Sequence, residues 1–115
     1  MSNQKTSRSR RNMPLGQLEQ FIMLAITYCG DVAYGPNLRA EIKDRTNIDL
    51  TVGNLYGTLE RLINKQFVGY TENKTTKPKV KKRFYLTTKG QTQLHESVEM
   101  TEKMLSGYEH ETDVN

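Results

Sequence analysis

The sequence predicts a mainly α-helical domain with one small β-hairpin, an α+β arrangement. Three observations lead there. Apolar residues recur at helical spacing in stretches beginning at Leu15, Gly35, Thr51 and Lys89. Between the last two, residues 67–71 and 80–86 are rich in aromatic and β-branched side chains, as strands are, and are joined by the polar loop ENKTTKPK at 72–79. The whole chain is only 115 residues and 35% hydrophobic, which fits one domain with a modest core that a dimer would help to stabilise.

The first 13 residues, MSNQKTSRSRRNM, are polar and basic without periodicity, and read as a disordered arm. Lys5, Arg8, Arg10 and Arg11 could track phosphates, and a solvated tail accounts for them as well. Pro14 introduces LGQLEQFIMLAITYC, in which Leu15, Leu18, Ile22, Ala25 and Ile26 form one stripe. Phe21, Met23, Leu24 and Tyr28 widen that stripe until the helix is apolar nearly all round, so it must be covered on two sides. One side can face the chain's own core and the other a second subunit. Cys29 closes the helix and reads as a small buried hydrophobe. Gly30-Asp31 makes a turn, and Gly35-Pro36 opens a second helix with proline at its start. There Leu38 and Ile42 face inward, while Arg39, Lys43 and Arg45 lie outside, available to a phosphate backbone or simply solvated.

After a short connection, Thr51 is a good N-cap for the helix TVGNLYGTLERLINK. Val52, Leu55, Leu59, Leu62 and Ile63 form its apolar stripe, and Asn54, Gly57, Arg61 and Asn64 its opposite face. That face is short, polar and partly cationic, and Gly57 leaves room for a close approach from outside. An ordinary amphipathic surface helix has the same pattern, so the flanking segments decide. Helix, short turn and helix is the helix-turn-helix pairing, whose second member reads a DNA major groove. The hairpin that follows places Val80, Lys82, Phe84 and Leu86 on one face and Lys79, Lys81, Arg83 and Tyr85 on the other. Lys82 falls on the inner face, from which its stem can snorkel out. A cationic hairpin in this position is a wing, suited to phosphate or the minor groove, although a solvated basic loop shares its composition. Thr88 then caps a last helix from Lys89 to about Tyr108, where Leu94, Val98, Thr101, Leu105 and Tyr108 form a coiled-coil-like seam flanked by Met100 and Met104. The last residues, 109–115, read as a frayed tail.

Charge supports this reading. Lys and Arg total 17 against 13 acidic residues, a formal +4 with a pI near 9.2, and the basic residues cluster at 5–11 and 74–83. One cysteine cannot form an internal disulfide, and no apolar run approaches the roughly 20 residues of a bilayer span, so a cytoplasmic protein is expected. The N-terminus lacks an apolar signal core. Nothing points to an enzyme, a cofactor or a metal: His95 and His110 are far apart, and no phosphate-cradling glycine loop or Gly-x-Ser-x-Gly occurs.

In order and in residues, the segments from Leu15 to about Leu105 resemble the PadR family of winged helix-turn-helix transcription regulators. The likeness is carried by Leu15-Gly16-x-Leu18-Glu19 with Tyr34-Gly35, by Leu50-Thr51-Val52-Gly53-Asn54-Leu55-Tyr56 with Leu59-x-Arg61-Leu62, and by Phe84-Tyr85-Leu86-Thr87-x-x-Gly90. It implies a homodimeric, sequence-specific DNA binder, usually a repressor, joined through its first and last helices. It also implies that Tyr56 touches the DNA backbone, and that a small hydrophobic effector can release DNA, as in some relatives. The chain departs from the family pattern at Gln66, where a glycine commonly ends the recognition helix, at Arg83, where an aromatic residue is common, and at Pro36 and Gly57. It contains no tryptophan for an aromatic-lined ligand slot, and a short member of the family without a larger C-terminal dimerisation domain is expected.

The expected organisation is a basic arm at 1–13, a winged helix-turn-helix domain at 14–88, a dimerisation helix at 89–108 and the tail. The partner is double-stranded DNA. Asn54, Arg61 and Asn64 are candidates for base edges, and Arg39, Thr51, Tyr56, Lys79, Lys81 and Arg83 for phosphates, with Gly57, Thr58 and Lys77 completing the DNA surface. Leu18, Phe21, Ile22, Leu94, Val98, Thr101, Leu105 and Tyr108 form the candidate dimer interface. Two rival readings stay open. One is a winged-helix module that binds a protein and no DNA; the other is a regulator whose dimer seam takes a small apolar ligand.

Overall fold

Helix α1 (Gln17–Cys29) is the element on which the others pack: α2 (Gly35–Thr46), α3 (Val52–Asn64), strand β2 (Val80–Leu86) and α4 (Thr88–Leu105) all lie against it. Its Ile22, Met23, Ala25 and Ile26 are buried, as the near-continuous apolar surface of this stretch requires. The computed structural model describes residues 15–74 and 80–108. The basic arm, Lys77, Lys79 and the frayed tail expected from the sequence lie outside the described residues. The fold is mainly α with one antiparallel hairpin, a winged helix-turn-helix.

A single turn of 3-10 helix, Gly30–Val32, follows α1, with Gly30 at a φ of 55° that favours glycine. Helix α2 has Pro36 in its first turn and ends at Asn47 in the left-handed region, which a short polar side chain tolerates. The turn to α3 is held by α2 itself. Arg39 Nε donates to the Leu50 carbonyl at 2.9 Å, and Asp49 lies 3.6 Å from both Arg39 and Lys43. Thr51 caps α3 as expected, its Oγ1 accepting from the Asn54 N–H at 3.0 Å.

Helix α3 leaves through a left-handed Gln66, with Phe67 N–H bonded to the Leu62 carbonyl and Gln66 N–H to that of Ile63, both at 2.9 Å. Strand β1 (Val68–Lys74) pairs with β2 from Val68↔Leu86 to Lys74↔Val80, so the hairpin reaches further than the 67–71 expected for its first strand. A bridge the sequence did not announce joins Tyr34 to Arg83, and Phe84 N–H donates to the Ala33 carbonyl at 2.9 Å. The wing is thereby anchored beside the start of α2. Thr87, not Thr88, caps α4: its Oγ1 accepts from Gly90 N–H at 2.9 Å and donates to the Gln66 carbonyl at 2.6 Å. A side chain at Gly90 would collide with the Phe67 carbonyl, so this crossing of α4 over the end of α3 requires glycine.

The core draws on all four α-helices and both strands, from Ile22, Met23 and Ile26 through Leu38, Ile42, Leu55, Leu59 and Leu62 to Val68, Phe84 and Leu94. Buried Ser97 ties α4 to the start of α1, accepting from Leu15 N–H at 2.9 Å and donating to Gln20 Oε1 at 2.7 Å. Among the described residues, no buried side-chain N or O atom lacks a partner.

Candidate nucleic-acid interface

The outer face of α3 starts from its burial pattern. Leu55, Leu59 and Leu62 are buried, which turns Asn54, Glu60, Arg61 and Asn64 to the exterior, with Gly57 half-exposed between them. The polar face expected from the sequence is therefore open and not covered by the hairpin. Two expectations need correction. Thr58 is only 1% exposed, so it cannot touch an external ligand. Its Oγ1 instead accepts from Arg61 Nη2 at 2.9 Å, which steadies the exposed guanidinium from beneath. Val52, assigned to the apolar stripe, is 56% exposed because the first turn of α3 stands clear of the core.

Tyr56 links α3 to the wing. It is 42% exposed, its ring centroid lies 6.4 Å from that of Phe84, and its hydroxyl sits directly over Gly35, where a side chain would collide with it. A cleft of about 480 Å³ runs beside it between α2 and the wing, lined in part by Tyr34, Tyr56, Lys81 and Lys82. Lys82 Nζ lies 4.6 Å from the Tyr70 ring centroid and Lys81 Nζ 5.7 Å from that of Tyr34. Both lysines are exposed. Lys82 and Tyr34 were not named as site residues from sequence. For Lys82 the signal was present, since a lysine on the inner face of a strand has to emerge somewhere.

Not every expected cation is free. Arg83 Nη1 is 3.6 Å from Asp31, and Arg39 is shared between Asp49 and the Leu50 carbonyl. Such surface pairs are worth at most about 1 kcal/mol, so a phosphate can compete for the same guanidinium. Cys29 is half-buried, and burial followed by the charge of Glu41 pushes its thiol above the usual range, with Arg45 opposing. That makes it a poor nucleophile. Among the described residues, no three His, Cys, Asp or Glu side chains gather as a metal site, and no helix is long and apolar enough to cross a membrane.

Two members of the candidate dimer set also need correction. Ile22 is fully buried and Leu94 nearly so, and both belong to the chain's own core. A helical stripe shows which face is apolar, not which part of it the same chain already covers. Leu18, Phe21 and Val98 are half-buried, whereas Thr101, Leu105 and Tyr108 are exposed.

Comparisons with known proteins agree with this geometry. The model of the transcriptional regulator PadR-like family matches residues 24–96. A PadR-like transcription factor from Bacteroides fragilis superposes with a TM-score of 0.68 at 29% identity, over 90% of this chain and 92% of that one. F93 from STIV, described as a winged-helix DNA-binding protein, gives 0.57 at 26% identity over 84% and 99%. Bacillus subtilis PadR, solved in complex with operator DNA, gives 0.61 at 18% identity over 74% of this chain and 48% of its own, a likeness of fold. The search of curated proteins returned no match. With well over half of its length matched by the family model, the chain belongs to the PadR-like family of transcriptional regulators.

Proposed function

We propose that this chain is a homodimeric, sequence-specific DNA-binding repressor of the cytoplasm that reads a palindromic operator. The observation that carries the reading is the open polar face of α3, with Asn54, Arg61 and Asn64 exposed on a helix whose other side is locked into the core. Asn suits adenine and Arg suits guanine in the major groove. Tyr56, Thr51, Lys81 and Arg83 surround that face as phosphate contacts, and Lys82 joins them from the cleft beside Tyr56. Arg39 contributes from the turn, where it is already oriented by Leu50. Half-buried Leu18, Phe21 and Val98 and the exposed end of α4 supply the surface through which two copies associate. The two recognition helices then enter successive major grooves, with half-sites about 34 Å apart.

Selection of bound fragments from a random duplex pool tests this directly. A two-fold symmetric site is expected, and recovery of no preferred sequence overturns the reading. On that site, neutralising about 6–10 phosphates makes affinity fall roughly 10³–10⁵-fold between 50 and 200 mM salt. A salt-independent affinity counts equally against it.

A further inference from the structure

We propose that Val52 is a specificity-determining residue that reads the 5-methyl group of a thymine in each half-site. The inference rests on α3 being the groove-reading helix. Val52 is the first residue of that helix, and the four positions Thr51 to Asn54 are all exposed. Thr51 has its hydroxyl oxygen engaged in the cap, accepting from Asn54 N–H at 3.0 Å, and Gly53 has no side chain. Beside the smaller Thr51 methyl, the groups left to meet a base at the leading edge of α3 are thus the Val52 isopropyl and the Asn54 carboxamide.

Among the described residues, nothing packs against this valine to account for it. The residue makes no part of the core, and the space around its neighbour Gly53 is open. A β-branched residue is also a slightly poorer helix former than alanine. Recognition helices present their N-terminal residues to base edges. An isopropyl group has neither donor nor acceptor, so it would strand the polar edge of guanine, adenine or cytosine without a partner. Thymine alone offers a methyl group in the major groove.

The test uses the full chain and the duplex recovered by selection, resynthesised with deoxyuridine in place of thymine one position at a time. Deoxyuridine keeps base pairing and removes only the methyl. At one thymine in each half-site the wild type is expected to lose about four-fold in affinity, the worth of one buried methyl. Val52→Ala, at an exposed site where folding is checked by circular dichroism, is expected to bind the thymine duplex more weakly and to lose most of that deoxyuridine sensitivity. Wild-type affinity indifferent to every replacement, a recovered half-site without thymine, or an unchanged deoxyuridine penalty in Val52→Ala each overturns the assignment. In those cases DNA binding itself stands; failure to bind any duplex overturns the DNA reading and this inference with it.

Discussion

Gln66 carries a cost visible in a single torsion. Its φ of 67° lies where a side chain crowds the following carbonyl, at about 1–2 kcal/mol, yet both hydrogen bonds of the helix exit are made around it. The family likeness singles out this position, because a glutamine stands where relatives commonly have a glycine to end the helix. Gln66→Gly is expected to raise stability by about 0.5–1 kcal/mol, the relief of crowding being offset in part by the freer unfolded chain. A urea midpoint reads the change, and a lower midpoint would mean that the exposed glutamine side chain contributes more than the torsion costs. Arg61 is the residue-scale test of readout. Steadied by Thr58, it should lose about 1–3 kcal/mol on the selected site as Arg61→Ala, and far less on random duplex. Equal loss on both would make it a phosphate contact.

At the scale of elements, the wing and α3 meet at Tyr56, and Gly35 sets where that ring can lie. Gly35→Ala places a methyl under the tyrosine hydroxyl, and the ring can yield by rotating, so the fold should survive. The phosphate contact proposed for Tyr56 should not. A loss of about 0.5–1.5 kcal/mol in duplex affinity is expected, with Tyr56→Phe losing a similar amount and the double variant little more. Additive losses would separate the two residues. The same scale shows what could be read from the chain beforehand. The helices beginning near Leu15, Thr51 and Lys89 follow from periodicity, whereas the second helix is legible from Gly35-Pro36 with Leu38 and Ile42, and the hairpin from its aromatic and β-branched composition and the alternation at 80–86. The Tyr34–Arg83 bridge does not follow, because one pair of residues has no period at all. Nor could pattern choose between two adjacent threonines as the cap of α4. The choice falls on Thr87 because its extended backbone aims Oγ1 at Gly90 N–H while the same hydroxyl reaches Gln66. Val52 and Ile22 were misread for one shared reason. A helical stripe gives direction around the axis but not how far along it the neighbouring elements extend, so it does not separate an exposed end residue such as Val52 from the core, or a core residue such as Ile22 from an interface.

For the whole molecule, the decisive property is what becomes of α4. Its first half closes the core through Gly90, Leu94 and Ser97, whereas every residue from Thr101 to Tyr108 is exposed. Leu105 is 55% exposed and Met104 and Tyr108 more so, an apolar end that none of the other described residues covers. The two halves should therefore respond differently to substitution. Leu94→Ala removes a buried side chain and is expected to cost about 2–5 kcal/mol of folding stability wherever the subunit stands. Leu105→Asp puts a carboxylate on a surface that water already reaches in the single subunit, where it should change stability by no more than about 0.5 kcal/mol. In the proposed dimer the same carboxylate would be buried without a partner, which a seam cannot tolerate. The expected result is a folded monomer by light scattering, with the wild-type helical spectrum. Binding to the two-half-site duplex should be much weakened, because each half must then be held alone. A Leu105→Asp protein that still scatters as a dimer would move the interface off the end of α4 and onto half-buried Leu18, Phe21 and Val98.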